Sequence, residues 1–426
     1  MQTRAAILGA AALCLFFAGP IRAGNWPQWR GPFLNGSADE TNLPDTWSKT
    51  ANVRWAAPLP GEGHATPIVW DDAVFVSSPD ENKSIQLICL DRTTGKQRWQ
   101  KQVSVGDRSV GRNNMASPSP VTDGQTVWVM SGAGDVAAFD FQGQPLWARN
   151  ISANHERFAI QFLYGSSPLL FKNRLYIQVL QRADGNGGHL SYLLCLDAKS
   201  GRELWRHERR TGAVRESQEA YTTPLAVESG GRAEIIVLGG DYVTAHDAET
   251  GAELWRAGGL RSPQNPSSSR IVPSPVAGDG LVFVCGPKRN PLLAFRDGGQ
   301  GDVTDKNLAW QYAEYPTDCV TPLFYQGKLF EFDGDKQMMV CLDPKTGKES
   351  WRQPAGVSET FRASPTGADG KIYCLSERAT AVVFSAADGR VLSTIKMEEG
   401  MTHATIAAAQ HELFVRTAEH LYCIGK

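Results

Sequence analysis

Leu90-Asp91-Arg92-Thr93-Thr94-Gly95-Lys96-Gln97-Arg98-Trp99 is the stretch that decides the fold, because the chain repeats it. Leu196-Asp197 leads through Gly201 to Trp205. Asp247, Thr250, Gly251 and Trp255 follow the same pattern, as do Asp343, Thr346, Gly347 and Trp351. In all four, Asp, Thr or Ser, Gly and Trp keep the same spacing. The spacing reads as a tight hairpin. Asp and Thr side chains bond back to turn amides, and Gly accepts positive φ. The strand that follows carries a large apolar ring to bury. Degenerate copies run from Asp140 through Gly143 to Trp147, from Asp297 through an insertion to Trp310, and from Ser385 to Gly389. In the last of these Ser393 stands where Trp is expected.

The beginning of each unit is regular too. A Ser/Thr-Pro pair places its proline seven residues before an apolar strand residue. Pro67 leads to Val74, Pro120 to Val127, Pro168 to Leu175, Pro275 to Val282, Pro322 to Leu329 and Pro365 to Ile372. Ile406 leads to Leu413 with the same count, and Pro224 opens a unit with a longer hairpin at 228–233. Between starts and Trp strands lie Gly, Asn or Asp turns and alternating β-branched residues, as strands require. Successive Trp positions are 41 to 58 residues apart, the size of a four-stranded propeller blade of roughly 40–45 residues plus insertions.

Eight starts mean eight blades. The eighth runs out at Lys426 before any Gly-to-Trp strand, and the missing strand occurs near the other end as Val53-Arg54-Trp55. The expectation is an all-β, eight-bladed propeller of four-stranded antiparallel blades, with Val53–Pro58 completing the last blade. Closure would hide sheet edges that otherwise invite aggregation.

The Asp-x-x-Thr-Gly-x-x-x-Trp unit resembles the tryptophan docking repeat of quinoprotein (PQQ) dehydrogenases and of the outer-membrane assembly factor BamB. The opening Asn25-Trp26-Pro27-Gln28-Trp29-Arg30-Gly31-Pro32 resembles the start of a bacterial subgroup of PQQ-like repeat proteins. The resemblance covers about residues 25–426. It implies the propeller; it leaves function open, because the fold serves enzymes and scaffolds alike.

The first 23 residues read as a signal peptide. Arg4 supplies the positive charge, residues 5–18 are short and apolar, and Ala23 and Gly24 are small. Cys14 follows Leu13, where a lipobox wants a small residue. The expected layout is a signal peptide at 1–23 and one propeller domain at 24–426, periplasmic or secreted, with no membrane span. Export permits disulfides. Seven cysteines follow the leader, and no C-x-x-C or C-x-x-C-H occurs among them. Cys89, Cys195 and Cys341 recur one residue before a Leu-Asp pair, which marks buried strand positions. The 43 basic and 45 acidic residues give a net charge of −2. That balance, without a dense basic run, excludes the long-range field a nucleic-acid binder uses.

In a propeller the loop entering each innermost strand faces the central channel. The residue three before each start is, in ring order, His64, Ser117, Gly165, Tyr221, Val272, Cys319, Arg362 and His403, with Asp318 and Glu219 nearby. Cys319, Arg362, His403 and His64 fall on four consecutive blades and form a polar half of the mouth. Two imidazoles and a guanidinium suit an anionic ligand, and His64 with His403 could hold a metal. The competing reading is that such residues hydrogen-bond to one another and to water. Asp91, Asp197, Asp247 and Asp343 recur at turns and are structural. His207 and His246 read as strand or surface positions. Trp26 and Trp29 are expected to pack across the outside of the propeller. The insertions at 181–191 and 260–270 are solvated loops, with partner binding as their second reading.

Three functions remain in view. The first is a non-catalytic binding or scaffold propeller with an envelope or extracellular protein partner and no cofactor or metal, its mouth (His64, Tyr221, Asp318, Cys319, Arg362, His403) taking a ligand such as a small anion. The second is a quinoprotein oxidoreductase, for which the resemblance implies PQQ and calcium over the channel and an Asp base. The adjacent Cys-Cys pair that many such enzymes carry is missing here, and no calcium-ligating Glu, Asn and Asp set matches. The third is glycan binding through exposed Trp and the long loops.

Overall fold

The computed structural model describes residues 24–183, 190–266 and 268–426. The expected leader, the middle of the 181–191 insertion and one residue of the 260–270 insertion lie outside them. Eight antiparallel blades of four strands form a ring; seven take their strands in chain order, the eighth borrows its outer strand from near the N-terminus, and the fourth carries a short added fifth strand. Blade 1 is Ile68–Trp70, Ala73–Pro79, Ser84–Asp91 and Gln97–Val105, counted from the channel outward. Blades 2 to 7 repeat this order, with innermost strands beginning at Val121, Leu169, Leu225, Val276, Leu323 and Thr366. Blade 8 is Ala407–Ala409, Glu412–Arg416 and His420–Ile424, completed by Val53–Pro58. Trp55 pairs with Cys423 and Ala57 with Leu421 in antiparallel register. The ring closes as the spacing requires.

The cores lie between the faces of neighbouring blades. Phe332 of blade 6 meets Phe384 of blade 7 edge-on at 6.2 Å between ring centroids, and Phe75 of blade 1 faces Phe141 of blade 2 at 5.0 Å. Phe75, Phe332 and Phe384 are fully buried, each contributing about 1.5–3 kcal/mol relative to exposure.

The recurrent Asp-Thr-Gly turn does what its residues allow. Asp91 Oδ1 accepts from the Thr94 amide at 2.9 Å and from its hydroxyl at 2.8 Å. Asp197, Asp247 and Asp343 hold Ser200, Thr250 and Thr346 likewise. The turn glycine has a second reason to lack a side chain. A Cβ on Gly251 (φ +75°) would sit 2.4 Å from the Trp205 ring of the preceding blade. Gly95 meets Trp55 in this way, and Gly143, Gly201, Gly347 and Gly389 meet Trp99, Trp147, Trp310 and Trp351. Each tryptophan therefore docks over the next blade's glycine, and Trp55 extends the pattern across the closure.

Two seams depart from the pattern. Trp255 turns its indole N–H to Glu234 Oε2 of its own blade at 2.8 Å. The insertion following it adds Gly301–Asp302 in parallel along the Glu253–Ala257 edge. At the seam of blades 7 and 8, where Ser393 replaces Trp, the N-terminal segment fills in. Ser393 Oγ donates to the Asp45 carbonyl. Trp47 lies against Tyr373, whose hydroxyl donates to the Pro44 carbonyl at 3.0 Å.

Candidate functional site

All eight residues three before the starts line one cavity of about 460 Å³ on the channel axis. Strand direction explains this. Every innermost strand is entered from the same end of the ring, so the loops before the start prolines converge there. Asp318 lines the cavity as well, whereas Glu219 sits behind Tyr221, fully buried.

One step deeper lies a ring the sequence reading used only as a landmark. At seven of the eight starts the preceding Ser or Thr turns its hydroxyl toward the amide of the equivalent residue in the preceding blade. Thr66 N donates to Ser119 Oγ (2.9 Å), Ser119 N to Ser167 Oγ (2.9 Å) and Ser167 N to Thr223 Oγ1 (3.0 Å). Thr223 N reaches Ser274 Oγ, Ser274 N reaches Thr321 Oγ1 and Thr321 N reaches Ser364 Oγ. Thr405 N donates to Thr66 Oγ1 at 3.1 Å, across the closure. A net 0.5–1.5 kcal/mol for each such bond gives the hydroxyl at this position its structural reason. The regular Ser/Thr before each start was the available signal.

The cavity has a floor. The opening segment Trp26–Pro32 does not pack across the outside as expected; it seals the far end of the channel. Trp29 lines the cavity, and Trp26 is fully buried, bridging Val69. Arg30 is the anchor. Buried at 3% exposure, it donates to the carbonyls of Pro365 (2.9 Å), Pro322 (2.7 Å) and Asn35 (3.1 Å). Two of these carbonyls belong to the start prolines of blades 6 and 7 and the third follows the opening segment, so a forked cation ties that segment to two neighbouring innermost strands. Burial lowers the Arg30 pKa to about 9, still high enough to stay charged at neutral pH.

The walls divide into two arcs. Phe162, Tyr221 and Val272 form the apolar one. Tyr221 donates to Glu219 Oε2 at 3.0 Å and accepts from the Phe162 amide at 3.1 Å, so its hydroxyl is committed. Opposite lie Cys319, Arg362, His403 and His64. Arg362 donates to Asp335 Oδ1 at 2.7 Å. His403 Nε2 meets Glu377 Oε1 at 3.0 Å. The rings of His64 and His403 lie 4.4 Å apart, tilted by 35°. Two residues the sequence reading did not single out complete the polar wall. Arg270 forms a fork on Asp318, with both contacts at 3.2 Å, and Arg112 Nε reaches Glu377 Oε1 at 3.3 Å. Both arise from insertions outside the repeat, which is why spacing could not find them.

The electrostatics leave the wall's arginines paired with carboxylates and its titratable groups unreactive. Burial, then the charges of His403 and Arg416, push His64 well below the ordinary imidazole value, so it is neutral. Its Nδ1 is buried without a partner. Burial beside Asp318 raises the Cys319 thiol to about 12, so at neutral pH it is not the thiolate that nucleophilic chemistry needs. Burial alone would raise the Glu377 carboxyl. The His403 hydrogen bond and the charges of His403, Arg112 and Arg362 hold it below the usual range. Among the described residues, the cysteines other than Cys319 are buried, and all seven are free. His246 is a buried strand residue, as expected, bonded to Thr244 Oγ1 and the Gly251 carbonyl.

Comparison with known proteins comes from two directions. The family model described as outer membrane protein assembly factor BamB matches residues 46–183, 189–325 and 304–419. No curated protein sequence matches the chain. BamB from Moraxella catarrhalis superposes with a TM-score of 0.61 at 14% identity, covering 87% of this chain and 99% of that one. A europium-containing methanol dehydrogenase gives 0.66 at 12% identity, covering 93% and 90%. The quinohemoprotein alcohol dehydrogenase from Comamonas testosteroni gives 0.65 at 13%, covering 95% and 81%. At these identities the structural likeness is one of fold. The repeat, the closure of blade 8 by Val53–Pro58 and a family match running over most of the length agree: the chain belongs to the PQQ-like repeat β-propellers whose family model is described as outer membrane protein assembly factor BamB.

Proposed function

We propose that this protein is a non-catalytic binding propeller of the bacterial envelope whose floored channel mouth holds a ligand or a segment of a partner. The observation that carries the reading is the cavity itself. Its 460 Å³ falls in the range of small-ligand sites, which pair apolar walls with a few placed polar groups. Its titratable wall is set for recognition. The thiol is protonated, His64 is neutral, and Arg270, Arg362 and Arg112 are oriented by carboxylates. The leader-like residues 1–23 and the family's description as an outer membrane protein assembly factor support the envelope location and a protein partner. Among the described residues no helix is long and apolar enough to cross a membrane.

The quinoprotein reading meets a misfit. Calcium takes six to eight oxygen ligands. Among the described residues, Asp318 is the single carboxylate in the lining, and both its oxygens accept from Arg270. Among the described residues, the group of His and carboxylates close enough to share a metal is Glu399, Glu419 and His420, none of which lines the cavity. The residues present do not fit that cofactor pair. The glycan reading loses its aromatic support, since Trp26 is buried and Trp29 faces the channel.

Native mass spectrometry of the chain isolated from its own envelope tests the proposal. An adduct retained by the wild type and lost in the His64→Ala, Arg362→Ala double variant is expected. Alcohol oxidation after reconstitution with PQQ and calcium would overturn it.

A further inference from the structure

The mouth has one rim element that belongs to no blade. Ser109–Val110 and Asn113–Asn114 form a two-stranded hairpin in the loop entering blade 2. Its tip, Gly111 and Arg112, reaches over the cavity and lines it. The base is fixed. Asn114 Nδ2 donates to the Glu62 carbonyl and Asn113 Nδ2 to the Phe162 carbonyl, both at 2.8 Å, and the Met115 amide donates to Asp107 Oδ1 at 3.1 Å. Among the described residues the tip has a single polar catch. Arg112 crosses above the two histidines to Glu377, which stands in a turn of blade 7, on the far side of blades 8 and 1. The Glu377 oxygen that takes Arg112 is the one already held by His403.

A catch of this kind is weak. The Arg112 side chain is 59% exposed although Glu377 is largely buried, and an ion pair with one end in solvent is worth about 1 kcal/mol. It is also exchangeable. If Glu377 lets Arg112 go, it keeps His403, whereas Arg112 gains a free fork for another anion. Across the cavity stand Phe162, Tyr221 and Val272, with Trp29 below.

Resting on the mouth being a binding site, we propose that the 109–114 hairpin is a gate latched by Arg112 on Glu377, and that the ligand opening it carries a carboxylate on an apolar body, the carboxylate replacing Glu377 on Arg112. Glu377 is then a competitor of the ligand, and Arg112 is the residue that selects for charge.

That competition gives a sign no structural role would produce. In E377Q the rival carboxylate is gone, so a carboxylate probe binds more tightly, by about three- to fivefold for an ion pair of this exposure. The probe is 2-naphthoate, with 2-naphthamide as its neutral match, followed by ligand-observed NMR. Cys319, half-buried in the cavity wall, reports the gate through its labelling rate with methyl methanethiosulfonate, read by peptide mass. Because its thiol is held protonated the reaction is slow, and the readout is the ratio of rates between variants at one pH. The expected result has five parts. Naphthoate binds the wild type and naphthamide does not. R112A weakens naphthoate several-fold, and R112K restores part of the loss. E377Q tightens it. Cys319 labels faster in R112A and E377Q, and bound naphthoate slows it. Cys319 labelling at the wild-type rate in both variants overturns the gate and leaves the binding site standing. Failure of naphthoate to bind any form overturns the ligand class. A small acid and the end of a chain present the same carboxylate. A hexapeptide ending in free or amidated leucine, set against naphthoate, separates those sources by which protects Cys319 at lower concentration.

Discussion

Glu331 lies on the second strand of blade 6, Lys328–Asp333, 1% exposed and facing Cys285 of blade 5, whose thiol lies 3.8 and 3.9 Å from its two oxygens. Burial, opposed by a hydrogen bond from the Thr317 backbone and helped by Asp333, raises its pKa from 4.5 to about 8. The folded protein therefore keeps a proton that the unfolded chain gives up above pH 4.5. Where the unfolded state binds fewer protons, stability falls as pH rises, by about 1.4 kcal/mol per unit for one group. The loss begins near pH 4.5 and ends near pH 8. Three and a half units at that slope amount to about 5 kcal/mol, of which roughly 3 kcal/mol is already lost at pH 7. Glu331→Gln keeps the shape and removes the proton. Urea unfolding at pH 5, 6, 7 and 8 should show the two proteins nearly equal at the acid end. The variant should become the more stable by about 3 kcal/mol at pH 7. Because other groups titrate alike in both, the difference between the two curves isolates Glu331. Curves that run parallel from pH 5 to pH 8 would refute the assignment of a neutral buried carboxyl.

Gly251→Ala should destabilise by several kcal/mol, because its Cβ would enter the Trp205 ring, whereas Gly327→Ala, with the same sign of φ but open space around it, should cost about 1–2 kcal/mol; equal losses in thermal midpoint would deny the docking role. Trp55→Ala at the closing strand should cost about 3–5 kcal/mol, measured by denaturant unfolding, and a loss below 1 kcal/mol would mean the closure is held elsewhere. Arg30→Ala strands the carbonyls of Pro322 and Pro365 at about 1–3 kcal/mol each. It should also loosen the floor, seen as faster hydrogen exchange at Trp26 and Trp29; unchanged exchange there would separate Arg30 from the plug.

The ring, the closure and the eight mouth positions were legible because each is a property of the repeat. Once Pro67, Pro120 and their equivalents are aligned, a fixed offset such as His64 or Tyr221 inherits the same direction in space. What escaped belongs to segments that do not repeat. Trp29 and Arg30 lie before the first unit, where no register constrains them, and their seat became visible only with the two start-proline carbonyls that Arg30 satisfies. Arg112 and Arg270 sit in insertions. Glu377 comes from a turn whose equivalents elsewhere hold other residues, so periodicity is silent about it. The Ser/Thr ring was visible as a pattern but not as a bond, because its acceptor and its donor are on different blades, some 40 to 60 residues apart and 339 apart across the closure.

The segment that seals the channel and the strand that closes the ring are one stretch of chain, joined through Trp47 and the blade 7 seam. Val53–Pro58 pairs with His420–Ile424, some 365 residues away, the most non-local strand pairing in the ring and of the kind that folds slowly. Until it forms, Trp26 and Arg30 have no complete ring to plug, and an unfinished molecule would be open at both ends of its axis. That one pairing is what separates an open-edged ring from a cup. Ligand retention should switch on with closure rather than accumulate blade by blade.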